Sequence, residues 1–136
     1  MPTYALNTDG LDIAGRNALV ERLNITNYDD SVAIKASSGN DTYAWCSENV
    51  IVRDINVYYS TGLTIGTVVP KDDYSCIKNI KFLNSKMYHP FKGIYVKNNP
   101  GVTESMLPGS GGEISNILYD NIEIHKPLWW GVYIGP

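Results

Sequence analysis

Short apolar pairs, spaced i and i+2 around a single residue, recur in one fixed order about every thirty residues along this chain. Aligned on Asn17, Asn49, Asn79 and Asn116, four segments read NALVERLNITNYDDSVAIK, NVIVRDINVYYSTGLTIGT, NIKFLNSKMYHPFKGIYVK and NILYDNIEIHKPLWWGVYIG. Each opens on a first pair: Ala18/Val20, Val50/Val52, Ile80/Phe82 and Ile117/Tyr119. A two-residue break follows, at Glu21-Arg22, Arg53-Asp54, Leu83-Asn84 and Asp120-Asn121. The second pairs are Leu23/Ile25, Ile55/Val57, Ser85/Met87 and Ile122/Ile124. After a less regular bend the third pairs close each unit: Val32/Ile34, Leu63/Ile65, Ile94/Val96 and Val132/Ile134. Leu11/Ile13 supplies the third pair of one further copy.

Alternation with period two predicts half-buried strands, three to a copy. The same column order in every copy predicts a solenoid rather than a meander of hairpins. No segment of length shows the i, i+3, i+4 spacing of a helix. The expected fold is therefore all-β, a right-handed parallel β-helix, with residues 1–136 forming one partial domain; an ordinary β-sandwich with coincidental spacing is the alternative. Neither end shows a capping unit, which a solenoid needs to cover its terminal edges. The expectation is several interior coils of a longer domain.

Stacking brings distant side chains together, because equivalent residues of successive coils lie roughly 4.8 Å apart. Two places before each third pair stand Asp9, Asp30, Thr61, Lys92 and Trp130. Asp9 and Asp30 become neighbours, with Asp29 on the same bend. Between the members of each third pair, Asp12, Ala33, Thr64, Tyr95 and Tyr133 point outward, with Lys35 and Lys97 just beyond. Three carboxylates this close should raise at least one pKa, so that one acid stays protonated while another serves as base. Two carboxylates about 6.5–9.5 Å apart would leave room for water and favour inverting glycoside hydrolysis. For Asp29-Asp30 alone, turn chemistry is the competing explanation, since Asp hydrogen-bonds its own backbone in bends.

Composition narrows the classes of function. With 43% hydrophobic and 18% charged residues the chain is a folded β domain, far from the disordered class. Net charge is −3 with no basic tract, so there is no electrostatic case for nucleic acid or a membrane surface. No run of about 18 apolar residues spans a membrane. The opening MPTYALNTDG has neither the charged start nor the apolar core of a signal peptide. The ten Tyr suit both strands and sugar-stacking surfaces. Cys46 and Cys76 each fall three residues before their repeat asparagine, so they share a column, as a disulfide or as a buried unbonded ladder. His89 and His125 lie on bends away from the acids with no ligand spacing, so no metal site and no cofactor is expected. Trp129-Trp130 is either a sugar-stacking wall or inter-coil packing.

Four motifs in order resemble those of glycoside hydrolase family 28, the polygalacturonases and related pectinases. Asn7-Thr8-Asp9-Gly10 resembles the family's NTDG motif. Asn27-Tyr28-Asp29-Asp30-Ser31-Val32-Ala33 resembles its second motif, usually a small residue, two Asp and a Cys. Ser60-Thr61-Gly62-Leu63-Thr64-Ile65-Gly66 falls where the family has Gly-His-Gly and an apolar-Ser-Ile-Gly run. Gly93-Ile94-Tyr95-Val96-Lys97 falls at its Arg-Ile-Lys.

The resemblance implies hydrolysis of pectic polysaccharide, galacturonan or rhamnogalacturonan, by an inverting mechanism without a cofactor. Asp29 would be the general acid, and Asp9 and Asp30 would together activate water. Lys97, Tyr95 and Thr61 would line the substrate site, with Lys97 binding a sugar carboxylate. Thr61 stands in place of the family's histidine and Tyr95 in place of its arginine, which removes a bidentate carboxylate fork. Ser31 replaces the cysteine of the second motif. A non-catalytic carbohydrate-binding β-helix and an inactive truncated piece are the alternatives. The family also implies a secreted monomer, which suits the N-glycosylation sequons at Asn24 and Asn40.

Overall fold

The alternating pairs form two parallel sheets in the computed structural model, which describes residues 5–36, 46–68, 75–98 and 112–136. One sheet has five short strands in the order β1 (Leu11–Ile13), β3 (Asp30–Ile34), β5 (Gly62–Val68), β7 (Lys92–Asn98) and β9 (Trp130–Gly135). The other has four long strands in the order β2 (Leu19–Thr26), β4 (Ser47–Tyr58), β6 (Ser75–Tyr88) and β8 (Gly112–His125). Every pairing joins a strand to its equivalent one coil later, so the chain winds as a parallel β-helix. Among the described residues no helix is long and apolar enough to cross a membrane.

The strand count differs from the expectation of three per copy. The first and second apolar pairs belong to one long strand, and the break between them is a corner rather than an end. That corner is made by a single residue with a left-handed backbone: Arg22, Asp54, Asn84 and Asn121, all with φ between 48° and 58°. Asn and Asp tolerate this region better than other side chains, which is why three of the four breaks carry one. The repeat asparagines make a second such corner, with φ of 54–56°. Their amides form a ladder up the solenoid: Asn49 donates to Asn17 at 3.2 Å, Asn79 to Asn49 at 3.3 Å and Asn116 to Asn79 at 3.1 Å.

The third-pair columns pair in the predicted register, Leu11↔Val32↔Leu63↔Ile94↔Val132. Facing them inside the coil are Val52, Val57, Phe82 and Met87, all fully buried. Phe82 stacks on Tyr119 at 4.6 Å between centroids. Ser85 occupies an apolar column without penalty, because its hydroxyl donates to the Leu83 carbonyl and accepts the Ile55 amide. On the outside, two aromatic stacks run parallel to the axis, Tyr58–Tyr88–His125 and Tyr28–Tyr59–His89. Both histidines are thus packing elements.

Cys46 and Cys76 form a disulfide across adjacent coils, with Cα atoms 4.5 Å apart. It closes a loop of sequence separation 30, so Cys76→Ser should cost about 2–4 kcal/mol, read as a lower thermal midpoint that reducing agent reproduces in the parent. An unchanged midpoint would show that the bridge adds nothing. Asn24 is exposed and its side-chain oxygen accepts from Asn56 at 3.0 Å; Asn40 lies outside the described residues.

Candidate functional site

The acids meet where two bends are tied together by small polar groups. Thr8 accepts the Tyr28 amide on its hydroxyl at 3.0 Å. The buried Asn27 amide nitrogen contacts the carbonyls of Thr8, Asp29 and Asp30 at 2.8–2.9 Å. Gly10 donates its amide to the Asp30 carbonyl at 2.9 Å. A Cβ on Gly10 would stand 2.4 Å from the Ser31 carbonyl oxygen, so glycine is required for this approach. Thr8 and Gly10 of the first motif therefore tie its bend to that of Asn27–Asp30, which sets Asp9 beside Asp30.

Carboxylate oxygens of Asp9, Asp29 and Asp30 all lie within 4.8 Å of one another. That is tighter than the separation expected for an inverting pair, so the spacing alone does not signal stereochemistry. The three acids are close enough to share one cation, and the protein supplies positive charge itself. Lys97 donates to Asp30 at 2.7 Å, and Lys35 lies 3.3 Å from Asp12, 3.8 Å from Asp9 and 4.0 Å from Asp30.

Asp30 is fully buried, and both its oxygens are engaged. Thr61 and Thr64 donate to one, at 2.5 and 2.9 Å, and Lys97 to the other. Burial alone would push its pKa up; the hydrogen bonds from Lys97, Thr61 and Thr64 and the Lys97 charge outweigh that, and Asp30 lies below the usual carboxylate range. Asp9 moves the other way. Partial burial raises its pKa, as do the charges of Asp29, Asp12 and Asp30, against the lowering effect of Lys35. The raised carboxyl in the cluster is thus Asp9. Lys97 loses some basicity to burial, but its bond to Asp30 leaves its pKa raised overall.

Asp29 is half-buried and serves two purposes. One oxygen accepts the Asp30 amide at 2.9 Å, the local turn bond expected of such a bend, and the other accepts the Asn7 amide at 3.1 Å. It also lines an open groove of about 430 Å³ with Leu6, Tyr28, Thr61, Phe91 and Trp129. Trp129 therefore faces this groove, while Trp130 packs at 4.9 Å from the Tyr133 ring.

Two expectations need correction. Asp30 opposes Gly62, not Thr61, because the register slips between Asp30 and Val32. Gly62 has φ of 110°, and a Cβ there would meet the Gly93 carbonyl oxygen at 2.2 Å, so the slip places glycine where two backbones nearly touch. The outward-pointing Ala33, Thr64 and Tyr95 are not solvent-facing: all three are buried. Thr8, Asn27, Lys35 and Thr64 take part in the site although sequence reasoning gave them no role. Lys35 and Thr64 were legible as members of the outward column; Asn27 carried no pattern beyond its place before the acidic pair.

A parallel β-helix with three acids clustered on one face is the class of structure this chain adopts. The chain matches the family model described as "Glycosyl hydrolases family 28" over residues 1–135, and it belongs to that family. It is 32% identical over 131 residues to a "Probable endopolygalacturonase D" of Neosartorya fischeri, covering 96% of this chain and 24% of that protein. A "Polygalacturonase" of Fusarium fujikuroi is 29% identical, over 94% of this chain and 30% of the relative. A "Probable exopolygalacturonase X" of Aspergillus terreus is 30% identical, over 92% and 28% respectively. The chain thus spans 24–30% of the length of these relatives. No solved structure matches it.

Proposed function

We propose that the protein hydrolyses glycosidic bonds of a pectic polysaccharide using Asp9, Asp29 and Asp30, with the inversion that the family resemblance, not the spacing of the acids, implies. The observation that carries this reading is the convergence of the three carboxylates within 4.8 Å, beside a groove with aromatic walls. Asp29 reaches the groove, so it is placed to protonate the glycosidic oxygen. Asp9 and Asp30 act together on water. Asp30 is buried and held ionised, so it works through its charge, which adds to the basicity of the more accessible Asp9. A base whose pKa is raised toward the working pH accepts a proton from water more readily. Thr61 and Lys97 hold Asp30 in place, and the buried Tyr95 ring lies 5.0 Å from the Lys97 ammonium. The disulfide and the family membership support an oxidising, extracellular setting for it.

Incubating the protein with polygalacturonate and with rhamnogalacturonan, and counting new reducing ends, tests this reading. Release from either polymer supports it. Retention on the polymer without release would favour a carbohydrate-binding β-helix instead, a reading that the aromatic groove also accommodates.

The charge map adds a pH prediction. Asp9 must be deprotonated to act as base, and Lys35 lowers its pKa. Lys35→Met removes that effect, so the acid limb of kcat/KM should move to higher pH while the alkaline limb stays. Unmoved limbs would remove Lys35 from the site.

A further inference from the structure

Lys92 is a cation with an aromatic setting. Its ammonium stands 3.6 Å from the centre of the Tyr95 ring, 4.5 Å from Tyr133 and 5.9 Å from Trp130. Among the described residues no carboxylate lies within ion-pair distance of it. The Tyr95 ring also has the Lys97 ammonium 5.0 Å from its centre. Of these two cations, Lys97 is committed to Asp30 and Lys92 is not.

Its position relative to the acids follows from the pairing. Lys92 opens β7, which lies two rungs from β3, where Asp30 begins, and it pairs with Trp130 on the next rung. Two rungs amount to roughly 10 Å along the solenoid. Lys92 and its rung partner Trp130 each follow directly on a residue that lines the groove beside Asp29, Phe91 and Trp129 respectively. Aromatic rings restrict its hydration, which strengthens its attraction for an anion.

We propose that Lys92 is a specificity-determining residue that binds the carboxylate of a uronic acid unit, away from the bond that is cut. This rests on the pectic reading above. A polyuronate lying along the groove carries a carboxylate on every such unit, so a fixed cation next to the groove-lining residues selects the free acid over its methyl ester. The faces of Tyr133 and Trp130 give the sugar ring an apolar surface beside the charge.

Affinity electrophoresis tests it without requiring turnover, using gels that contain polygalacturonate of low or high methyl esterification. The parent should bind the low-ester polymer about tenfold more tightly, the scale of one charge-assisted hydrogen bond. Lys92→Met should lose that preference while binding the high-ester polymer as before, and Lys92→Arg should keep it. Undiminished preference in Lys92→Met would overturn the proposal. So would equal loss on both polymers with no recovery in Lys92→Arg, which marks a packing role, and so would a parent that binds neither polymer. Binding that depends on Lys92 without release of reducing ends would retain this inference and reject the hydrolytic reading; release with no dependence on Lys92 would do the reverse.

Discussion

Replacing Lys97 by Met should cost the folded protein about 3 kcal/mol at neutral pH, because it strands a buried carboxylate. Asp30 has no exposed surface, and Lys97 makes its closest ionic contact, at 2.7 Å. The Thr61 and Thr64 hydroxyls and the Lys35 charge at 4.0 Å remain, so the loss falls at the low end of what a broken buried pair costs. Adding Asp30→Asn to Lys97→Met should return much of the stability, since the stranded charge is then gone. The pH dependence has a definite sign. The folded pKa of Asp30 is depressed below 3.8, so its contribution is present above that value and lost as pH falls through the folded pKa. Parent and Lys97→Met should therefore converge in stability as the solution is taken below about pH 4. Denaturant melts at neutral and acid pH read both effects. A gap that is small at neutral pH, or that widens in acid, would mean that Lys97 does not compensate Asp30.

Asp29→Asn should reduce kcat by about 10²–10⁴-fold, the usual worth of a positioned general acid. The substitution preserves shape, and the amide oxygen can still accept one of the two backbone bonds that Asp29 now receives from Asp30 and Asn7. Proton donation matters only when the leaving group is poor. An aryl glycoside, which departs without help, should therefore be cleaved nearly as fast by the variant as by the parent. A variant equally impaired on both substrates would point to misplacement of the bend, and an unimpaired variant would remove Asp29 from the acid role. Because Asp9 carries the raised pKa, the same comparison with Asp9→Asn shows which carboxyl delivers the proton. Asp9→Asn should fail on both substrates, as loss of a base requires.

Much of this arrangement was legible in the chain. The apolar pairs set the register of β1, β3, β5, β7 and β9, and two residues before the first two of those pairs stand Asp9 and Asp30. The motif resemblance then gave the acids a chemistry. What escaped the pattern depends on how side chains turn and how the backbone slips. Alternation marks Thr64 as outward, but not that its hydroxyl bends to Asp30. It marks Lys97 as outward too, but not that its ammonium reaches back across two rungs to Asp30. The shift that puts Gly62 opposite Asp30 arises from a close approach of backbones, to which hydrophobic patterning is blind. Tyr95 read as the loss of a cation, yet Lys92, three residues earlier, folds back over its ring. The Asn17–Asn49–Asn79–Asn116 column punctuates the repeat, and its left-handed corners and amide ladder explain why the punctuation is asparagine.

The most direct test follows the anomeric proton of the product by NMR while the protein acts on polygalacturonate. The three-acid account predicts reducing ends that first appear with the anomeric configuration opposite to that of the cleaved linkage, and that vanish in Asp9→Asn. A product that first appears with retained configuration, or a polymer left uncut, would contradict it.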